Sequence, residues 1–190
     1  MRVTGRLCAL VLAVLVSSAF AEAPRWVLYT QPDKLLSVRF PGTPTEADQE
    51  APSPLGTLHF KMATLFDANH ALLTAAITYP VDPAAPFDTK KALDGARDQM
   101  IANIKGKLTA EKPRRLDGFD GREVWFEAPG PNSQPIHAIA RIYASAKPAR
   151  AYMIIAMRMT DQPDPDAAKF LDSMHLGKKV EIHRQGAGTK

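Results

Sequence analysis

Ile136-His-Ala-Ile-Ala-Arg-Ile-Tyr-Ala144 and Ala151-Tyr-Met-Ile-Ile-Ala-Met-Arg-Met159 decide how this chain folds. Each run carries one arginine and is otherwise almost wholly apolar, with the β-branched and aromatic residues that suit a pleated surface. A strand with one wet face alternates apolar and polar residues; a strand covered on both faces does not. These two runs are therefore expected to be central strands of a sheet with both faces covered. Ala146-Lys-Pro-Ala-Arg150 lies between them as a turn, so they pair antiparallel.

Working outward, the sixteen prolines mark the breaks between segments and leave the apolar runs free of missing backbone donors. Residues 26–30 and 35–40 flank Gln31-Pro-Asp-Lys34 and form a predicted hairpin. Leu58, Phe60 and Met62 alternate with Thr57, His59 and Lys61. Residues 72–79 and 122–128 supply two more strands, the latter after the turn Asp117-Gly-Phe-Asp-Gly121. Residues 41–54 and 185–190 read as the loosest stretches, the second as a flexible tail.

Two helices cover the strands. Over 88–108, apolar residues fall at Leu93, Ala96, Met100, Ile101, Ile104 and Leu108, one helical face, with Asp88 or Thr89 as its cap. A shorter helix starts at Asp164-Pro165 and buries Phe170, Leu171 and Met174. The expected class is α+β: a mainly antiparallel sheet of about six to eight strands with one long and one short helix packed on it.

Four pieces carry a resemblance: Leu36-Ser-Val-Arg-Phe-Pro-Gly-Thr-Pro44, Leu93-Asp-Gly-Ala-Arg97, Leu116-Asp-Gly-Phe-Asp-Gly-Arg-Glu123 and Phe170-Leu-Asp-Ser-Met-His-Leu176. Together they resemble small exported bacterial proteins of unassigned role, similar in layout to the PsbP-like fold named for the extrinsic subunit P of photosystem II. The resemblance implies an α/β/α sandwich and an accessory or binding role. It assigns no functional residue, and fold does not fix function.

The N-terminus indicates where the protein works. Arg2 and Arg6 precede the unbroken apolar run at 7–16, and Ala19-Phe-Ala21 follows. This is the three-part pattern of a secretory signal peptide, shorter than a membrane span, with cleavage expected after Ala21. An uncleaved anchor is the competing reading. The expected organisation is a signal peptide at 1–21, one domain at 22–184 and a tail at 185–190, in a periplasmic or secreted protein with no transmembrane span after cleavage.

Cleavage would remove two arginines and the one cysteine, Cys8, so the formal net charge falls from +4 to +2. That weakens any electrostatic case for nucleic acid. It also excludes disulfides, thiolate nucleophiles and cysteine-ligated metal from the mature chain.

No catalytic signature stands out. The five histidines lack metal-ligand spacing and read as surface residues. No serine sits in Gly-x-Ser-x-Gly, and no glycine-rich phosphate loop occurs. Met153, Met157 and Met159 share a strand face, with Met174 expected nearby; they read either as core filler or as soft ligands for Cu(I). No cofactor, metal or catalytic residue is assigned.

Trp125 reads as an exposed aromatic anchor or as packing beneath the longer helix. With Lys112, Arg114 and Arg115 it forms the candidate interaction surface, the basic cluster reading equally as a solvated sheet edge. The leading functional expectation is a non-catalytic interaction domain of the cell envelope, with an unidentified protein partner. A carrier of a small apolar ligand, with a pocket between sheet and helix, and a hydrolase with an unrecognised site are the alternatives.

Overall fold

A computed structural model describes residues 25–67, 70–82, 84–131, 134–159 and 164–177. The expected signal peptide at 1–21 and the expected tail at 185–190 lie outside the described residues. Seven strands form one antiparallel sheet: β3 (Thr45–Ser53), β4 (Gly56–Phe66), β5 (His70–Thr78), β6 (Lys107–Leu116), β7 (Phe119–Pro129), β8 (Pro135–Ala146) and β9 (Ala149–Arg158). Their order is β3-β4-β5-β9-β8-β7-β6. The two apolar runs at 136–144 and 151–159 are β8 and β9, both in the interior of the sheet.

A second, three-stranded sheet is built from β1 (Val27–Thr30), β2 (Leu36–Phe40) and the short β10 (His175–Leu176), in the order β1-β2-β10. The predicted hairpin at Gln31-Pro-Asp-Lys34 is present, but it belongs to this small sheet. The Leu35 N–H donates to the Asp33 carboxylate and the Lys34 N–H to the Gln31 carbonyl, closing the turn.

Helix α1 (Thr89–Asn103) lies on one face of the large sheet, chiefly against β8 and beside β7 and β9. Asp88 caps it by accepting from the Lys91 N–H. Leu93 and Ala96 pack there with Val124, Phe126, Ile142 and Ile155, so the space between helix and sheet is filled by side chains. Helix α2 (Pro165–Asp172) and the small sheet cover the opposite face. Asp164 caps α2 and Pro165 opens it, as expected, and Phe170 and Leu171 are buried beneath. Phe40 of the small sheet and Phe170 of α2, both fully buried, pack ring against ring at 4.8 Å. The layers match the expected α+β sandwich.

Two segments differ from the sequence reading, for one reason. Residues 41–54 read as loose, yet β3 occupies 45–53; the helix predicted over 88–108 stops at Asn103, and β6 begins at Lys107. Both are edge strands and bury almost nothing, so neither shows the apolar alternation that marks a half-buried strand. Leu108, assigned to the helix face, stands 41% exposed on β6. The turn read as 117–121 is tighter: Asp117 and Gly118, with φ of 51° and 89°, make a two-residue connection between β6 and β7.

The methionines also divide. Met153 is buried and Met157 half-buried on the α1 face, and Met159 is 47% exposed beyond the strand end. Met174 is buried on the other face, so it does not join them. Among the described residues no helix is long and apolar enough to cross a membrane.

Candidate interaction surface

Alternation along β7 sends Val124, Phe126 and Ala128 towards α1 and Glu123, Trp125 and Glu127 to the opposite face. Trp125 therefore does not lie beneath the longer helix. It sits half-buried between Ala110 of β6 and Ile139 of β8, its register partners. The Lys112 ammonium lies 4.6 Å from the centre of its ring, a cation–π contact.

Lys112 also reaches Glu123, the next residue along this face of β7. The Glu123 side chain is only 6% exposed and gathers three cations: Lys112 Nζ at 2.8 Å, Arg114 Nη1 at 3.0 Å and Arg141 Nε at 2.5 Å. Arg141 extends the cluster to the end of α2. Its Nη1 donates to the Leu171 carbonyl at 2.6 Å and its Nη2 meets Asp172 at 2.7 Å. The last carbonyls of a helix welcome a cation, so this contact fixes the C-terminus of α2 to the sheet.

Burial alone would raise the Glu123 carboxyl, but hydrogen bonds from Lys112 and Arg141 and the charges of Arg141 and Arg114 outweigh it and hold it below the usual range. Burial would likewise lower Arg141, but Asp172 and Glu123 reverse it. Each ion at the centre of the cluster is thus held in its charged form.

Of the residues named from sequence, Lys112, Arg114 and Trp125 come together around Glu123. Arg115 does not; it alternates to the other face and pairs with Asp120 at 3.6 Å across the hairpin. Sequence reasoning missed Arg141 and Asp172, and read Glu123 only as part of a strand.

A second cluster clamps the opposite face. Glu111 of β6 accepts from Arg97 of α1 at 2.7 Å and from Arg122 of β7 at 2.6 Å, while Arg122 meets Asp94 of α1 at 2.5 Å. Burial raises the Glu111 carboxyl, and the two arginines overcome it, leaving it lowered. This cluster ties α1 to the edge of the sheet.

The histidines are paired with carboxylates. His59 meets Glu50 at 3.0 Å on an exposed face, and His137 lies 3.5 Å from Glu127. His70 is buried, one ring nitrogen 2.9 Å from Asp67 and the other 3.3 Å from Asp164, the cap of α2. His183 lies outside the described residues. Among the described residues no three His, Cys, Asp or Glu side chains form a group able to hold a metal ion.

An open cleft of about 350 Å³ lies at the end of the sheet, between the start of β6 and the β7–β8 connection. Lys105, Lys107, Glu127, Pro129, Gln134 and Pro135 line it. It opens beside the C-terminal end of α1, whereas the carrier alternative placed an apolar pocket between sheet and helix.

Comparison with known proteins supports the architecture. The fold matches the solution structure of cyanobacterial PsbP (CyanoP) from Synechocystis sp. PCC 6803, with a TM-score of 0.53 and 13% identity, over 86% of this chain and 99% of that one. The protein of unknown function PA94 from Pseudomonas aeruginosa overlaps with a TM-score of 0.32 and 14% identity, over 72% of this chain and 84% of that one, too little to bear on the fold. No family model and no curated protein sequence matches the chain. The chain has a PsbP-like fold.

Proposed function

We propose that the chain is an exported, non-catalytic interaction domain of the cell envelope. It would dock a protein partner through Trp125, Lys112 and Arg114. The observation that supports this reading is the arrangement around Glu123, where one buried carboxylate positions two accessible cations beside a half-buried tryptophan. Aromatic and arginine side chains held in place beforehand are the usual centres of binding energy at protein interfaces. The cations outnumber the acids: Lys112, Arg114 and Arg141 share Glu123 and Asp172, which leaves the surface suited to an acidic partner.

Export rests on the sequence pattern at 1–21. The test combines two measurements. Mass spectrometry of the envelope fraction is expected to find a chain beginning at Glu22. A photo-crosslinking amino acid at Ala110, the exposed register partner of Trp125, is expected to capture one partner protein, and Trp125→Ala is expected to abolish the capture. A full-length cytosolic chain, or a probe at Ala110 that captures nothing, overturns the proposal.

A further inference from the structure

The large sheet ends in two edge strands, and only one of them is closed to further pairing. Among the described residues no strand pairs with the outer side of β6 or of β3. An open row of N–H and C=O groups invites another strand, and proteins blunt it with bulges, prolines and lysines. β6 carries all three: its register shifts between Leu108 and Ala110, Pro113 interrupts its donors, and Lys107 and Lys112 lie along it. β3 carries little of this. It runs in unbroken register with β4, from Thr45 opposite Thr64 to Ser53 opposite Gly56, holds no Lys or Arg, and has its one proline, Pro52, beside its end. Proline has no N–H to give a ladder, so Pro52 takes a position directed away from β4. Counting back in twos, Glu46, Asp48 and Glu50 also direct their N–H and C=O groups outward.

We propose that this edge takes an extended basic segment of another protein as an added strand of the sheet. Residues 45–50 are all exposed, with Glu46, Asp48 and Glu50 on one face of β3 and Ala47, Gln49 and Ala51 on the other. Lys61 lies 2.7 Å from Asp48 and His59 3.0 Å from Glu50, while Glu46 is met by the Tyr29 hydroxyl, a neutral donor. The edge is therefore acidic. A strand laid against it sets its side chains about 5 Å from these carboxylates, where opposite charges attract and like charges repel. A second β3 would bring its own acids against them, and the β6 edge of a second copy is broken by its bulge and Pro113. The occupant that fits is a foreign strand of about seven residues, reaching from Glu46 to Pro52. It carries Lys or Arg at alternate positions and small uncharged residues between them. Main-chain hydrogen bonds would hold it, and the alternate charges would select it.

β3 and β6 stand at opposite ends of the sheet, so this edge and the Trp125 surface stand or fall separately. The probe is a peptide of that length alternating lysine and threonine, added to the isotope-labelled full chain while amide exchange is followed by NMR. Exchange at the Glu46, Asp48 and Glu50 N–H groups is expected to slow about tenfold or more, with much less change at Ala47, Gln49 and Ala51, which already face β4. The same peptide N-methylated at its ladder positions, and one alternating glutamate and threonine, are expected to protect none of them. Glu46→Lys with Glu50→Lys, at an unchanged melting temperature, should weaken the lysine peptide about tenfold or more, and Trp125→Ala should leave its binding as it was. The two control peptides carry the same test on the natural chain. Protection by either control peptide, protection that rises with chain concentration alone, or no protection by the lysine peptide overturns the inference.

Discussion

Glu123 and Arg141 face each other across β7 and β8 at 2.5 Å, and through that contact the C-terminus of α2 is anchored to the sheet. Removing one member of a buried pair strands the other charge, which costs more than the pair contributes. Glu123→Gln is therefore expected to destabilise the fold by roughly 3 kcal/mol. The paired substitution Glu123→Leu with Arg141→Met should recover most of that loss. Urea denaturation of the two variants beside the natural chain checks it; equal losses in the single and double variants would count against it.

Acid should act through the same carboxylates. Glu123 and Glu111 are more acidic folded than unfolded, so the unfolded chain takes up protons first as pH falls. Their stabilisation is complete above the ordinary glutamate value of about 4.3 and decays below it. Urea midpoints measured from pH 6 downwards should show a shallower acid slope in Glu123→Gln than in the natural chain.

Lys112 stacks on Trp125. Lys112→Ala should change the tryptophan emission and cost more than the about 0.5–1 kcal/mol of an exposed cation–π contact, because it also takes one of three cations from Glu123. Fluorescence and thermal melting test both halves of that expectation.

Phe170 joins α2 to the small sheet through Phe40 and is fully buried. Phe170→Ala is expected to cost about 3–5 kcal/mol, the usual range for emptying an aromatic core site. The loss should appear in calorimetry as a lower melting temperature.

Gly121 allows β7 to pass close to β8. A Cβ there would overlap the Ile142 carbonyl and the Tyr143 ring. Gly121→Ala should destabilise by about 1–3 kcal/mol through overpacking, where a glycine-to-alanine change in an open strand would stabilise.

The central strands were legible in the sequence because β8 and β9 bury both faces, and α2 because Asp164-Pro165 marks its start. β3 and β6 were not, because an edge strand held by ion pairs leaves no hydrophobic period. The centre of the candidate surface was half legible. Lys112, Arg114 and Trp125 stand out as residue types, but Glu123 becomes meaningful only with the β6–β7 register. Asp117-Gly118 carried that register: a two-residue turn places Lys112 opposite Glu123. Arg141 and Asp172 arrive from separate elements, and no local pattern links them.

The edge strand β6 is gripped from above by Glu111 with Arg97 and Arg122, and from below by Lys112 and Arg114 on Glu123. A rim held in this way cannot fray or swing its basic side chains far before anything arrives. The ordering that a visitor would otherwise have to impose has been completed during folding, so encounter and recognition nearly coincide in one step.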